Sequence, residues 1–322
     1  EQRKTNERLK MNDIKCVITG GAGFIGSHIA QTLIENGVGQ VTILDNMTKG
    51  KIENLKELDH DKINMVCADI TDADLNLIFE DHDYVFHEAA LTSVPESIQK
   101  PTEVNKINID GTFRVLKAAC ECNIKKVISA SSAAVYGETE TLPNHEELPL
   151  RPLSPYAVSK AMLELYSYTF NLPTATLRYF NVFGPRQDIS SPYSGVIPKF
   201  ISALLKGERP VIFGDGEQTR DFIYVKNIAQ ANYEVMKSDA TGVYNIAHGK
   251  KTSINELLEY ICEIMGYDFN PQYMPKQDGD IKHSVADITK AEENFGFKSE
   301  HDFKCELKET IDYYVKIMEV DE

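Results

Sequence analysis

The first half of the chain alternates short apolar runs with longer stretches whose apolar residues recur at helical spacing. The apolar runs lie at residues 16–18, 41–44, 63–66, 84–86 and 126–128. Runs that are apolar on both faces and separated by helices are typical of a parallel sheet covered by helices on both sides. The pattern therefore predicts an α/β fold: a Rossmann-like, doubly wound parallel sheet.

The stretches between these runs predict helices with recognisable ends. Ile25 and Ile29 fall on one face of a first helix, and another helix is predicted over residues 105–122. Ser154 is a good N-cap because its hydroxyl can accept a hydrogen bond from a free helix amide. Pro155 fits the first helical position, where its missing N–H costs nothing. We therefore expect a helix to begin at this Ser-Pro pair.

Beyond the predicted sheet, Gly and Pro become frequent and the rhythm is less regular. We expect a Rossmann domain at residues 12–180 and a smaller α/β substrate-binding lobe at residues 181–322. A helical stretch and a strand-like run resume within this second part, so the chain is expected to return to the main sheet around residues 219–250. Residues 1–11 lack apolar periodicity and are interpreted as an N-terminal extension.

Composition narrows the classes of partner. The 322 residues carry 49 acidic and 34 basic side chains, a formal net charge of -15. Such a charge disfavours binding to nucleic acid or to an anionic membrane surface. No run approaches the roughly 18 apolar residues of a membrane span, and we expect a cytoplasmic protein without a membrane partner. The six cysteines form no CxxC pair and the eight histidines show no ligand spacing, so no metal site is predicted.

A glycine-rich turn joins the first predicted strand to the first helix. Gly20, Gly23 and Gly26 lie where the chain must turn tightly, approach a pyrophosphate and pack the helix against the strand. Asp45 ends the second strand, 19 residues beyond Gly26, which suits a carboxylate that bonds a ribose 2′-hydroxyl and repels a 2′-phosphate. The pattern favours NAD over NADP. The alternative is a structural turn followed by a helix-capping aspartate.

The predicted helix after Ser154 carries Tyr156 and Lys160, four residues apart and therefore on one helical face. We expect the ammonium, together with the positive end of the helix dipole, to favour ionisation of the phenol and tune it as a general base or acid. Tyr233 and Lys237 show the same spacing on an ordinary amphipathic stretch. Spacing alone therefore does not establish catalysis.

Several ordered motifs together give the chain a resemblance to the extended short-chain dehydrogenase/reductase family, and within it to the UDP-sugar 4-epimerases. The resemblance runs from residue 14 to near the C-terminus. The matching segments are residues 19–28, 45–46, 69–70, 87–90, 131–137, 156–160, 178–184 and 214–222.

The resemblance implies roles for individual residues. The catalytic group would be Ser132, Tyr156 and Lys160, with the serine bonding the sugar 4-hydroxyl, the tyrosine removing its proton and the lysine bonding the nicotinamide ribose. The residues implied to bind NAD are Gly20, Gly23, Phe24, Ile25, Gly26, Asp45, Asn46, Asp69, Ile70, Ala89, Ala90, Tyr156 and Lys160. Those implied to bind the UDP-sugar are Ser132, Asn181, Val196, Val211, Phe213, Arg220, Asp280 and Ser284.

The resemblance also implies the type of reaction. Family members that eliminate water have an Asp-Glu pair, and a decarboxylating subclass has a glutamate, where this chain has Ala133 and Ala134. We therefore expect inversion at C4 of a UDP-hexose through a 4-keto sugar, with NAD tightly bound and regenerated in each cycle. The alternatives are epimerisation of a UDP-uronic acid, another nucleotide-sugar oxidoreduction, or a non-catalytic NAD-binding regulator.

Two positions depart from, or vary within, the family pattern. Gln277 stands where a second phosphate-binding arginine is usual, and Lys276 or Lys282 are the candidates to compensate. Ser284 stands where some members have a tyrosine that closes the pocket against a 2-acetamido group. We therefore expect UDP-N-acetylglucosamine and UDP-N-acetylgalactosamine to fit, with UDP-glucose and UDP-galactose as further candidates. The resemblance further implies a homodimer formed through the helices near residues 105–122 and 156–171.

Overall fold

A seven-stranded parallel sheet forms the centre of the computed structural model, which describes residues 10–189, 194–276, 281–299 and 302–320. The sheet contains β1 (Lys15–Thr19), β2 (Gln40–Asp45), β3 (Ile63–Cys67), β4 (Tyr84–His87), β5 (Lys126–Ser132), β6 (Thr174–Tyr179) and β11 (Gly242–Ile246). The predicted fold class is confirmed, since all six neighbouring pairs of strands are parallel.

The strand order is β11-β6-β5-β4-β1-β2-β3. Successive strands are added on one side of β1 as far as β3, and from β4 onward on its other side. The strand order therefore reverses between β1 and β4, which are hydrogen-bonded neighbours. Ligands of open α/β sheets bind in the crevice at such a switch point, beyond the carboxyl ends of the strands. Thr19, His87 and Ser132 end three of these strands, so the topology places them at one edge.

Helices cover both faces of the sheet and pack against each other in the second lobe. The described helices are α1 (Phe24–Glu35), α2 (Leu75–Phe79), α3 (Val94–Gln99), α4 (Pro101–Val104), α5 (Gly111–Glu121), α6 (Pro155–Ser167), α7 (Val196–Leu205), α8 (Val225–Lys237), α9 (Ile254–Met265), α10 (Thr289–Phe295) and α11 (Phe303–Val320). A π-helical turn, Asn105–Asp110, leads into α5. The helix predicted over 105–122 is therefore observed, with a wider first turn.

The start of α6 follows the sequence prediction. The Ser154 hydroxyl accepts a hydrogen bond from the Ala157 amide at 3.2 Å, and Pro155 occupies the first turn. One strand is longer than predicted: β5 continues past residue 128 because β6 pairs with it as far as Ser132 opposite Tyr179. This extension carries Ser132 to the carboxyl edge of the sheet.

As far as its residues are described, the second lobe is built from short strand pairs and the helices α7, α9 and α11. The pairs join β7 (Asn181–Phe183) to β10 (Phe222–Tyr224), β9 (Thr219–Arg220) to β12 (Thr252–Ser253), and β8 (Val211–Phe213) to β13 (Gln272–Met274). Phe200 of α7, Leu257 of α9 and Tyr314 of α11 belong to the apolar cluster that holds the lobe together. Between these elements the chain adds β11 to the main sheet and packs α8 against α1.

None of the helices within the described ranges is long and apolar enough to cross a membrane.

Candidate active site

The turn after β1 has the close packing that its glycines predict. Gly20 has a φ of +70°, and a Cβ there would lie 2.8 Å from the Ala89 amide nitrogen. A Cβ at Gly26 would lie 2.3 Å from the Gly20 carbonyl oxygen. Helix α1 begins immediately afterwards at Phe24, and a helix N-terminus presents amides to an anion. The turn thus forms a cradle in which a pyrophosphate fits against the backbone of residues 20–26.

Asp45 lies where the strand β2 meets this turn. Its carboxylate accepts hydrogen bonds from the amides of Ala22, at 3.0 Å, and Met47, at 2.8 Å. The residue is buried, and a Cβ at the nearby Gly50 would come within 2.6 Å of the carboxylate oxygen. A fixed negative charge at this place fits a ribose diol and repels a 2′-phosphate.

The predicted adenine contacts lie next to Asp45. The Asn46 side chain donates to the Asp69 carboxylate at 2.7 Å, and Ile70 is buried beside them. Although partial burial opposes it, hydrogen bonds from Thr71 and Asn46 hold the pKa of Asp69 below its usual range. The predicted dinucleotide residues at and beyond the ends of β1, β2 and β3 therefore lie together at the carboxyl edge of the sheet, and they fit NAD.

Ser132, Tyr156 and Lys160 meet on the other side of the switch point. Ser132 ends β5, where its hydroxyl accepts a hydrogen bond from the Ala134 amide at 3.2 Å and lies near enough to the Tyr156 phenol to lower its pKa. The Lys160 ammonium lies 6.0 Å from the Tyr156 ring centroid and donates to the Ala130 carbonyl at 2.7 Å. Tyr156 and Lys160 are both buried. The arrangement can hold a hydroxyl group between the serine and the phenol.

The prediction that Lys160 and the helix dipole favour ionisation of Tyr156 is wrong for the protein residues alone. Burial raises the pKa of Tyr156, the hydrogen bond from Ser132 lowers it, and the Glu88 carboxylate raises it again. The net pKa lies above the usual value of a tyrosine. Lys160 does not reverse this shift, because its ammonium is directed to the Ala130 carbonyl rather than to the phenol oxygen. Sequence spacing cannot report burial, which arises from packing distant segments together.

A buried polar network behind the site was missed at the sequence level. Arg178 pairs with Glu164 of α6 through Nη2 to Oε2, at 2.7 Å, and Nε to Oε1, at 2.9 Å. The Ser131 hydroxyl donates to the same carboxylate at 2.6 Å, and Arg178 also donates to the Tyr136 hydroxyl at 2.8 Å. Tyr136 in turn donates to Asn245 of β11 at 2.6 Å. The sequence identifies residues 131–137 and 178–184 only as segments that resemble the family, and it predicts no contact between them.

Three of the predicted substrate residues, Arg220, Ser284 and Asn181, lie close together in the second lobe. Arg220 is in β9, and the backbone of Ser284 donates to the neighbouring Thr219 carbonyl at 3.1 Å. The Asn181 side chain donates to the Asp221 carbonyl at 3.1 Å, so it lies beside Arg220 in the chain fold.

The predicted uracil contacts are partly open to solvent. Val211 and Phe213 are 40% and 39% exposed, whereas Ile212 between them is buried, so the two lie on one face of β8. Val196 begins α7 and is partly buried. Gln277 and Asp280 lie outside the described residues, so their predicted roles remain predictions.

Asp221 is another residue for which the sequence predicts no role. Its buried carboxylate accepts hydrogen bonds from the amides of His248, Gly249 and Ala286 at 2.9 to 3.1 Å. Burial raises its pKa to about 7, although these hydrogen bonds favour the carboxylate. The side chain ties three loops together directly after Arg220. Its position in the Arg-Asp-Phe segment was the available signal.

The fold and the site together define a class: an NAD-binding α/β protein with a Ser, Tyr and Lys group at the switch point of its sheet. The chain belongs to the NAD dependent epimerase/dehydratase family, whose model matches residues 16–247.

Relatives match this chain over nearly its whole length. It is similar to the solved UDP-N-acetylglucosamine 4-epimerase of Methanobrevibacter ruminantium M1 in complex with UDP-N-acetylmuramic acid, with 49% identity and a TM-score of 0.92, covering 95% of this chain and 99% of that one. The UDP-glucose 4-epimerase of Thermotoga maritima with UDP-glucose gives 37% identity and a TM-score of 0.89, covering 95% and 100%. The UDP-glucose 4-epimerase of Mycolicibacterium smegmatis is 34% identical over 310 residues, covering 94% and 98%.

Proposed function

We propose that this protein is an NAD-dependent UDP-sugar 4-epimerase that inverts C4 of a UDP-hexose through a 4-keto sugar. The observation that carries the proposal is the contact between Ser132 and Tyr156, with Lys160 beside them, at the end of the sheet that also carries the glycine cradle. Ala133 and Ala134 follow Ser132 and supply no acid or base for elimination. The relatives named as 4-epimerases support the same reaction.

The chain's own residues provide binding and proton transfer. Ser132 orients the sugar 4-hydroxyl and Tyr156 takes its proton. After hydride has returned to the opposite face of C4, Tyr156 gives the proton back to the C4 oxygen. Lys160 fixes the nicotinamide ribose. NAD, when bound, supplies the hydride acceptor and donor and a positive charge that favours the phenolate. Burial and Glu88 raise the pKa of Tyr156, and a positive charge beside the phenol would lower this pKa and favour the basic form.

The sugar is held from the second lobe. Arg220 is proposed to bind the diphosphate, since a guanidinium fork matches phosphate oxygens in a chain of net charge -15. Val196, Val211 and Phe213 are proposed to line the uracil, with Asn181 at the phosphate or sugar. Their support is that they lie in β7, α7 and β8, the elements of the second lobe that follow β6 in the chain.

We propose that the pocket accepts UDP-N-acetylglucosamine and UDP-N-acetylgalactosamine. Ser284 is a small, partly buried residue whose amide donates to the carbonyl of Thr219, and Thr219 directly precedes Arg220 in the chain. A small side chain there leaves room for a 2-acetamido group. The similarity to a UDP-N-acetylglucosamine 4-epimerase supports this choice.

We further propose that the protein acts as a homodimer in the cytoplasm. Large apolar side chains are exposed on the adjoining helices α5 and α6, at Phe113, Val158 and Leu165, and directly after α6 at Tyr168. Phe113 contacts the ring of Tyr166 with centroids 5.6 Å apart, so the two helices form one continuous face. Contiguous exposed apolar surface of this kind marks an association site.

The reaction is tested with a panel of UDP-sugars incubated without added NAD, the products being identified by their C4 configuration. Many turnovers per enzyme are expected, whereas a net dehydrogenase would stop when its bound cofactor is converted. Tyr156→Phe should lose at least about 100-fold in kcat because the proton acceptor is gone.

The matched control is Tyr233→Phe. Tyr233 has the same spacing to a lysine, and Lys237 Nζ lies 4.3 Å from its ring centroid. This variant should keep wild-type turnover. Retained activity in Tyr156→Phe would refute the assigned base, and conversion limited to one equivalent would refute epimerisation.

A further inference from the structure

Glu88 is a carboxyl group inside the proposed active site to which the proposed reaction assigns no role. It directly follows β4, and its amide donates to the Thr19 carbonyl of β1 at 3.1 Å. The preceding His87 faces other partners, with Nδ1 at 2.8 Å from the Thr19 hydroxyl and Nε2 at 2.9 Å from Thr112. Glu88 is partly buried, and the Tyr179 hydroxyl lies 2.9 Å from its Oε1.

The orientation of this contact is set by a third residue. Asn232 of α8 is completely buried, and its side-chain Nδ2 donates to the Tyr179 hydroxyl at 2.8 Å and to the Ile228 carbonyl at 2.9 Å. Since the Tyr179 oxygen already accepts from Asn232, its own hydrogen is directed to Glu88. The series Asn232, Tyr179, Glu88 therefore points donors toward the carboxyl and favours its ionised form.

The charged and titratable groups around Glu88 come from α6, β4 and β6. The sheet register brings Lys160 close, because His87 pairs with Ser129 and the Lys160 ammonium donates to the carbonyl of the next residue, Ala130, at 2.7 Å. Lys160 and Tyr156 face it from α6 and Tyr179 from β6, while His87 stays neutral because burial lowers its pKa to about 3. Burial raises the pKa of Glu88 to about 7, with Tyr179 and Lys160 acting in the opposite direction.

The influence is mutual. Burial lowers the pKa of Lys160 to about 8, and the Glu88 carboxylate keeps it from falling further. The same carboxylate raises the pKa of Tyr156. A single negative charge therefore acts in the same direction on both residues that the proposed mechanism requires.

We propose that Glu88, oriented by Tyr179 and Asn232, is a positioning residue whose charge balances the Lys160 ammonium and sets the pH range in which Tyr156 exchanges a proton with the sugar. The inference rests on the proposed function for its link to turnover. A purely structural role, in which Glu88 only connects β4 to β6 through Tyr179, is the competing explanation.

Glu88→Gln tests the charge while keeping the shape. Removing the carboxylate lowers the pKa of both Tyr156 and Lys160, so the rise and the fall of the pH–rate profile should both move to lower pH, by about half a unit or more. The ionisation of Tyr156 is also read without any sugar, as the phenolate absorbance of the NAD-saturated protein between pH 6 and 10.5, with Tyr156→Phe subtracted. The same downward shift is expected there.

Two further variants separate electrostatics from folding. Glu306→Gln removes another buried carboxyl whose pKa is raised to about 7 by burial, but this one bonds Asn227 at the contact between α8 and α11. It should leave both titrations unchanged. Tyr179→Phe removes a hydrogen bond that lowers the pKa of Glu88. The pKa of Glu88 therefore rises and less of the carboxylate is charged at a given pH, so a smaller downward shift of both titrations is expected.

A Glu88→Gln protein that titrates like the wild type in absorbance would overturn the inference, and so would an equal shift in Glu306→Gln. Absence of turnover with every UDP-sugar, together with the absorbance shift, would instead refute the proposed function and leave the role of Glu88 standing. If Glu88→Gln does not fold, Tyr179→Phe carries the test, and an unchanged absorbance titration in that variant would overturn the inference.

Discussion

Tyr156 and Tyr233 show what decides the chemistry of a single side chain. The Lys237 ammonium lies closer to the Tyr233 ring, at 4.3 Å from the centroid, than Lys160 does to Tyr156, at 6.0 Å. Tyr156 also has Ser132 of β5 beside its phenol, which lowers its pKa. The local pair is readable from spacing, whereas the serine contact requires β5 and α6 to be packed together.

For the same reason the residue types of the site could be predicted but not their ionisation. Ser132, Tyr156 and Lys160 carry a family motif that a sequence displays directly. The direction of the Tyr156 pKa shift depends on burial and on Glu88, which is 68 positions earlier in the chain. Neither quantity is a property of the segment that contains the tyrosine.

Ser284 allows a prediction about substrate choice. Ser284→Tyr should place a phenol ring in the space proposed for the 2-acetamido group, so kcat/KM for UDP-N-acetylglucosamine is expected to fall at least about 100-fold, as for other steric exclusion from a pocket. The value for UDP-glucose should change by less than about threefold, because no atom of that sugar occupies the space.

The measurement compares the two kcat/KM ratios, with Ser284→Ala as the control for loss of the hydroxyl. Equal loss on acetylated and plain sugars in Ser284→Tyr would contradict the steric explanation. A selective loss in Ser284→Ala would instead indicate that the hydroxyl itself contacts the sugar.

At the scale of secondary structure, α6 is fixed at both its start and its middle. Ser154 caps its first turn, and Glu164, one turn beyond Lys160, is tied to β5 and β6 by Ser131 and Arg178. The cap was predicted because it is local. The Glu164 contacts were not, because their partners lie 33 and 14 residues away in sequence.

The buried ion pair predicts a large effect on stability. Glu164 and Arg178 side chains are only 3% and 4% exposed. Glu164→Gln leaves the guanidinium charge without its counterion, so the free energy of unfolding should fall by about 3 kcal/mol or more. The urea midpoint measured by circular dichroism at constant m-value checks this.

The control pair is Lys308 with Asp312 on α11, whose side chains are more than half exposed. Asp312→Asn should change the unfolding free energy by less than about 1 kcal/mol. A similar decrease of the unfolding free energy in both variants would mean that burial does not determine the contribution of the Glu164 ion pair to stability.

On the scale of the whole molecule, the sequence predicted the parallel sheet and six of its seven strands, but neither β6 nor the strand partners in the second lobe. The predicted main strands are apolar runs of three or four residues, and parallel order follows from their alternation with helices. The strands β9 and β12 contain two residues each. Such short segments carry no periodicity, and their pairing depends on loops such as those held by Asp221.

The exposed face of α5 and α6 predicts the assembly state. Leu165→Glu places a charge at a side chain that is 54% exposed on this face, and two copies in a dimer would bring like charges into an apolar contact. Sedimentation velocity should give a dimer for the wild type and a monomer for this variant.

Tyr267→Glu is the matched control, since Tyr267 is an exposed aromatic residue on the second lobe, 44% exposed, and should remain dimeric. A monomeric wild type would contradict the proposed interface, and so would a dimeric Leu165→Glu.

The late arrival of β11 in the chain has a consequence for synthesis on the ribosome. β6 is complete at Tyr179, but its outer neighbour begins at Gly242, after β7, α7 and α8 have been made. Until then the nascent protein presents a bare β6 edge of buried-type residues, and Arg178 and Tyr136 lack Asn245. An unpaired edge recruits other chains. A terminated fragment ending between these strands would therefore aggregate rather than persist as a small nucleotide-binding domain.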